Sequence, residues 1–289
     1  MALQRCAHFG LEQLTPVCGA VVSGLDLSVN HDISVMRELH KALCTHGVLF
    51  FRDQHKLSSE TAIRFGEQWG PLEGPHPIYS LNKSSPIAVV AHDADNPPDN
   101  AQWHSDCSWS KNPPFASLLW PMVLPPCGGD TLWLSSTAAF QRLSPGLQQD
   151  LRGLSAVHDF GSFRNHFHSQ DPENGIDDGY RQFGSAVHPI ILDHPVTGQP
   201  YIFVNECFTM HVVGLMADES RRLLNYLFSL LYRPDLQVRW RWRHGDVAIW
   251  DNRHTQHFAS ADYFPSPRRM HRLTIVRDAL AEARGKVNE

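Results

Sequence analysis

The chain has 289 residues, 42% hydrophobic and 19% charged, which is a globular composition with length for one large domain or two ordinary ones. A net charge of −5 excludes the strongly basic surface that nucleic acid or an anionic membrane would select, so neither is expected as a partner. No apolar run reaches membrane-spanning length, the N-terminus lacks the apolar core of a signal peptide, and six scattered cysteines without a C-x-x-C pair read as reduced thiols, so a cytoplasmic enzyme is expected.

Along the chain, residues 11–27 read as one or two short strands. Met36, Leu39 and Leu43 stand at helical spacing in 34–46, with Ser34 as N-cap and Gly47 as stop. Val48–Phe51 reads as a buried strand, and Ser59–Trp69 as a helix with Ala62, Phe65 and Trp69 on one face. Loop follows to 85, then a strand at 87–91, a turn at 96–100 and a strand carrying His104 and Asp106. An apolar strand at 115–120 precedes the Pro125–Asp130 turn and helices at 136–143 and 145–152, the second with Ser144 as N-cap and Pro145 at its first position.

The polar, acidic stretch 169–181 is expected to form a mobile loop. Val187–Leu192 and Tyr201–Asn205 flank Thr197-Gly198-Gln199 as a hairpin, and Asp218 caps a helix of about 219–231. Residues 237–243 alternate Val238, Trp240 and Trp242 with Arg239, Arg241 and Arg243, one face buried and the other a solvated or ion-paired row. Final strands are expected at 247–250 and 272–276. No repeat or second composition regime interrupts the chain, so residues 1–289 read as one domain. Many short strands with Gly/Pro turns and a few helices predict a mainly β architecture with covering helices, a jelly-roll or sandwich.

The stretch Gln102-Trp103-His104-Ser105-Asp106 carries the chemistry. In a strand, His104 and Asp106 project to the same side, offering a nitrogen and an oxygen to one metal ion. One further histidine would complete a 2-His-1-carboxylate set, which leaves a face of an iron open. Eighteen histidines make the residue type uninformative alone, and both His254 and His257 compete for that place.

Together with Trp250-Asp251-Asn252-Arg253-His254-Thr255-Gln256-His257, Gly128–Trp133 and Arg268–Arg272, this stretch resembles the taurine/2-oxoglutarate dioxygenase family, its taurine-oxidising members above all. Matching blocks run from about residue 12 to 278 and include Phe203-Val204-Asn205-Glu206 and Gln237–Trp242. The resemblance implies a double-stranded β-helix (jelly-roll) oxygenase fold. It implies Fe(II) on His104, Asp106 and His257, since the family motif places its ligand after Thr-Gln. It further implies 2-oxoglutarate at Thr131 and Arg268 and dioxygen as co-substrate, with the adjacent Arg269 a rival for Arg268. A guanidinium suits a carboxylate because it pairs in two places and stays charged.

For substrate, the resemblance implies a small anion on Arg272, with His76, Tyr79, Asn100, Ser162, Phe163 and Phe208 completing the pocket. The implied reaction hydroxylates the carbon next to sulfur of a sulfonate, taurine first, releasing sulfite and an aldehyde with succinate and CO2. An alkyl sulfate, an aryloxyalkanoate or a biosynthetic carboxylate stays open as substrate, and so does a jelly-roll metal protein without oxygenase activity. Assembly into a homo-oligomer is likewise open. Cys107 and Cys207 stand where the family pattern leads one to expect Val and Gly, and the chain is one residue short between Phe160 and Ser162; both reshape the pocket wall.

Overall fold

The computed structural model describes residues 4–75, 84–98, 101–160 and 184–285. In chain order its strands are β1 Gln4–Arg5, β2 Gly10–Gln13, β3 Ala20–Ser23, β4 Val48–Phe51, β5 Ala88–His92, β6 Ala116–Val123, β7 Thr131–Ser135 and β8 Ser155–Asp159. They continue as β9 Ser185–Pro189, β10 Ile191–Asp193, β11 Pro200–Ile202, β12 Thr209–Val212, β13 Gln237–Trp240, β14 Val247–Asp251, β15 Thr255–Ala259 and β16 Arg268–Ile275. The helices are α1 Ile33–His46, α2 Ser59–Glu67, α3 Ser136–Gln141, α4 Pro145–Leu151, α5 Ala217–Leu231 and α6 Ala279–Gly285. None of these is long and apolar enough to cross a membrane.

An eight-stranded sheet runs β1-β2-β3-β4-β14-β6-β16-β5, and a three-stranded sheet runs β13-β7-β15. Alternation along the strands decides what each face touches. From the large sheet, Val48, Phe50, Leu119, Ala248, Trp250 and Met270 meet Trp133, Val238, Trp240 and Trp242 from the region of the small sheet. Phe50 stacks on Trp240 at 4.1 Å between ring centroids, so the two sheets close on an aromatic layer. The intervening residues Leu49, Phe51, Leu118 and Ile249 face the other way, onto Met36, Leu39 and Leu43 of α1 and Phe65 of α2. On the far side, Leu134 packs with Ala139 and Phe140 of α3 and Leu224, Leu227 and Leu231 of α5. Two facing sheets with helices on both outer sides are the expected jelly-roll.

Element ends follow local chemistry. Gly47 closes α1 with φ 76°, its N–H bonded to Leu43 O at 2.8 Å, and a Cβ there would meet Thr255 Cγ2 at 2.6 Å. Ser58 caps α2 through a reciprocal Ser58/Thr61 box, and Ser144 caps α4. Two expected caps are corrected. Helix α1 starts at Ile33, with Asp32 rather than Ser34 at the N-cap. Helix α5 has Met216 at its N-cap; Asp218 lies inside the first turn and pairs with Arg222 at 2.8 Å.

Strand bounds also differ from expectation. The run 187–192 divides between β9, paired with β8, and β10, which forms the expected hairpin with β11. The last strand is longer than its apolar core and begins at Arg268, so Arg268, Met270 and Arg272 share its inward face. Strand β15 was not expected from 255–259, because its first three residues, Thr255, Gln256 and His257, are buried and polar. Two of their polar groups are met inside: Thr255 Oγ1 donates to Asp251 O, and Gln256 Nε2 donates to Val204 O, both at 2.7 Å. His104 is also not in a regular strand; it forms a single bridge, and the chain turns at Asp106.

Candidate active site

His104 and His257 are held as an antiparallel pair: His104 N donates to His257 O at 3.1 Å and His257 N to His104 O at 2.8 Å. Residues paired this way point their side chains to one face, and the two ring centroids are 4.1 Å apart. Asp106 reaches that face by a turn rather than by strand alternation. Cys107 takes a left-handed φ of 50°, and Ser110 N bonds back to Cys107 O at 2.9 Å. The result brings Asp106 Oδ1 to 3.9 Å from His104 Nε2 and 3.8 Å from His257 Nε2.

The protonation states suit a divalent cation. Nδ1 of His104 lies 2.9 Å from the carbonyl of Gln102, which fixes the proton there and leaves the Nε2 lone pair facing Asp106. Burial and then neighbouring His104 take His257 down to about 3, so it is a neutral imidazole at ordinary pH. Burial opposes charge on Asp106, but Arg272, His257, His104 and a hydrogen bond from Ser117 outweigh it and hold the carboxyl well below the usual range. Two neutral imidazoles and one carboxylate, all buried and with ligand atoms within 4.8 Å of one another, fit an Fe(II) bound on one side only.

The structure brings His257 to this group and sets His254 apart. The His254 ring packs against His194 at 4.7 Å, with Nε2 4.0 Å from Asp251 Oδ2. Cys44, His194 and Asp251 also lie within ligand distance of one another, yet Asp251 is taken up by His194 and Arg253 instead. Nδ1 of His194 accepts from Val196 N and Thr197 N, so its proton must sit on Nε2, which donates to Asp251 at 3.0 Å. Arg253 fills the remaining space, pairing with Asp251 and, at 2.9 Å, with Asp278.

A cavity of about 130 Å³ opens beside the triad. Arg268 lines one end of it, 4% exposed, while Arg269 points out to solvent. Arg268 Nε donates to Gly129 O at 3.1 Å, and its Nη2 to Thr131 Oγ1 at 3.4 Å. Thr131 Oγ1 also accepts from Trp242 Nε1 at 2.9 Å, so its own proton points away from both donors, toward whatever acceptor enters. The loop carrying Gly129 is pinned from outside: Asp262 accepts from Gly129 N at 2.8 Å, and Arg239 bridges Asp130 and Asp262. Arg239 is thus ion-paired as expected, but β13 ends at Trp240, so Arg241 and Arg243 lie beyond the strand and the expected row of three is not formed on it.

Arg272 and Phe208 also line the cavity, the Phe208 ring lying edge-on to His104 at 6.0 Å. Trp109, Phe160 and Cys107 extend this wall, and Cys207 is buried behind Phe160 and Phe208. His76, Tyr79, Asn100, Ser162 and Phe163, together with the 169–181 loop and the short segment after Phe160, lie outside the described residues. Two polar residues that sequence reasoning passed over hold Asp106 in place. Ser117 Oγ donates to Asp106 Oδ2 at 2.6 Å, and Asn252 Nδ2 donates to Ser117 Oγ at 3.1 Å. Ser117 was visible only as a hydroxyl in an apolar strand, and Asn252 only as part of the Trp-Asp-Asn-Arg block.

A jelly-roll with an open His/Asp/His face beside a buried, carboxylate-ready arginine is the arrangement of a 2-oxoglutarate-dependent oxygenase. The family model described as "Taurine catabolism dioxygenase TauD, TfdA family" matches residues 10–274, and the chain belongs to that family. It is 32% identical over 280 residues to an alkylsulfatase of Acinetobacter baylyi, covering 95% of this chain and 87% of the relative. To an alpha-ketoglutarate-dependent sulfate ester dioxygenase of Pseudomonas putida it is 32% identical over 266 residues, covering 89% and 86%. The crystal structure of a taurine dioxygenase from Burkholderia xenovorans superposes with a TM-score of 0.80 at 31% identity, over 94% of this chain and 90% of the other. The protein is thus a dioxygenase that uses Fe(II), 2-oxoglutarate and dioxygen.

Proposed function

We propose that this dioxygenase hydroxylates the carbon next to sulfur of a small sulfonate, with taurine the first substrate to test, and that the resulting α-hydroxysulfonate releases sulfite and an aldehyde. The observation that carries the reading is Arg272, a second guanidinium on the cavity wall, in contact with the triad and four residues along the same strand face from Arg268. One arginine suits the far carboxylate of 2-oxoglutarate; the other suits an anionic head placed beside the reacting face.

His104, Asp106 and His257 would hold the iron, which supplies the site for dioxygen and the oxidising power as 2-oxoglutarate becomes succinate and CO2. The chain's own part is placement. Arg268 and Thr131 hold the co-substrate's far end, Arg272 holds the substrate head, and Phe208, Phe160 and Trp109 keep water from the reacting carbon. Such placement matters because a displacement of about 1 Å can lose on the order of a hundredfold in rate. None of the six cysteines forms a disulfide, which supports a reducing, cytoplasmic setting.

A second reading, an alkyl sulfate ester, draws support from the relatives named alkylsulfatase and sulfate ester dioxygenase. There the same hydroxylation releases sulfate. A panel of taurine, alkyl sulfonates, alkyl sulfates and aryloxyalkanoates, scored for succinate and for sulfite or sulfate, separates the readings. Sulfite from a sulfonate upholds the first; succinate coupled to sulfate alone upholds the second. Turnover of a carboxylate without either rejects both.

A further inference from the structure

Arg272 and the triad share one atom. Arg272 Nη1 donates to Asp106 Oδ1 at 2.9 Å, and this is the oxygen that faces both imidazole Nε2 atoms. The other carboxylate oxygen is taken by Ser117. The oxygen turned toward the metal position is therefore the one the guanidinium already holds. A second carboxylate stands by. Leu72 bridges to Ile275 and Glu73 N donates to Thr274 O at 2.8 Å, so Glu73 runs alongside the end of β16. Its partly buried carboxylate lies within electrostatic reach of Arg272 and Asp106.

We propose that Arg272 couples the binding of the substrate anion to the binding of metal at Asp106. This rests on the reading of Arg272 as the substrate's anion clamp. With neither ligand bound, Arg272 neutralises Asp106 Oδ1 and opposes a cation there. An oxyanion in the cavity takes up N–H donors and charge from Arg272, and Asp106 becomes the better metal ligand. By linkage the metal must then strengthen anion binding by the same factor. Arg268 has the same charge and lines the same cavity, but its hydrogen bonds go to Gly129 and Thr131, so it has no such role.

The test reads metal affinity rather than turnover. Mn(II) is titrated into the full-length metal-free protein with and without 1-propanesulfonate, free Mn(II) being followed by electron paramagnetic resonance. In the wild type the sulfonate tightens Mn(II) binding on the order of tenfold, and Mn(II) tightens sulfonate binding equally; this arm needs no substitution. Arg272→Gln binds Mn(II) more tightly than wild type without the sulfonate and no longer responds to it. Arg268→Gln stays close to the wild type. The coupling is overturned if Arg272→Gln leaves Mn(II) affinity unchanged, if Arg268→Gln tightens it as much, or if the sulfonate response survives in Arg272→Gln. A wild type indifferent to propanesulfonate, alongside a tighter Arg272→Gln, would instead reject the sulfonate reading and leave the hold of Arg272 on Asp106 standing.

Discussion

Ser117 Oγ donates to Asp106 Oδ2 at 2.6 Å and, with Arg272 Nη1 on Oδ1 at 2.9 Å, sets how the carboxylate is turned beside the two imidazoles. Ser117 is fully buried on the inward face of β6, and Asn252 Nδ2 supplies its oxygen with a donor at 3.1 Å, so the hydroxyl proton can only point at Asp106. Asn252 is fixed in turn by Trp250 Nε1 at 2.8 Å.

Ser117→Ala should therefore weaken Fe(II) or Mn(II) binding by about 10- to 100-fold, the usual effect of removing a group that orients a ligand. Ser117→Thr, which keeps the hydroxyl, should recover most of it. Direct metal titration checks this. Equal affinity in Ser117→Ala and the wild type would mean that the hydroxyl only fills space.

The two histidines of the His-Thr-Gln-His run separate cleanly. His257→Ala removes an imidazole 3.8 Å from Asp106 Oδ1 and should abolish iron-dependent turnover. His254→Ala leaves the triad intact and opens a hole beside His194 and Asp251, so it should keep much of the activity while melting at lower temperature. Succinate formation and a thermal melt on each variant decide; the reverse pattern would overturn the ligand choice.

The sequence pattern was readable where one face of an element is apolar. Helices α1, α2 and α4, the strands at Val48 and Ala116, and the Gly198 hairpin all lie within a few residues of where periodicity and turn chemistry put them. It was not readable where polar residues are buried for chemistry. Strand β15 carries Thr255, Gln256 and His257 inside, which removes the alternation that marks a strand. The inward Arg268 likewise hid the first half of β16, which was expected only from Arg272 onward. The His-x-Asp pair was found for an incomplete reason: same-side placement comes from the bridge at His104 and the left-handed Cys107, neither of which a two-residue spacing reveals.

Arg268 and Arg272 should fail differently. Arg268→Met removes the guanidinium held by Gly129 and Thr131 and should raise the KM for 2-oxoglutarate far more than that for substrate. Arg272→Leu should do the opposite. Gly129→Ala tests the first assignment without touching charge. Gly129 has φ 72°, and a Cβ there would meet Arg268 Cδ and Nε at 3.1 Å, so the variant should shift the arginine and raise the same KM. Equal effects of Arg268→Met and Arg272→Leu on both constants would show that the two arginines serve one ligand.

Acid should unfold the metal-free protein through its buried imidazoles before its carboxylates matter. Burial lowers His158 to about 3, His254 to about 4 and His257 to about 3, each from 6.5. Unfolded, these histidines take up protons near 6.5; folded, they refuse them until pH 3–4. The unfolded state thus binds more protons throughout that window, and stability that is fully present above about pH 6.5 is lost as pH falls. Each histidine contributes a slope on the order of 1 kcal/mol per pH unit, so the three together should lower the midpoint of urea unfolding clearly between pH 7.5 and 5.0. Asp106 and Asp251, both held below 3.8, add to the loss only below that value. Bound metal requires neutral His104 and His257, so the holoenzyme should show a steeper fall as acid also strips the ion. A midpoint unchanged between pH 7.5 and 5.0 in the metal-free chain would mean that these rings accept protons in the folded state, and that the neutral imidazoles on which the metal site depends are not secured by burial.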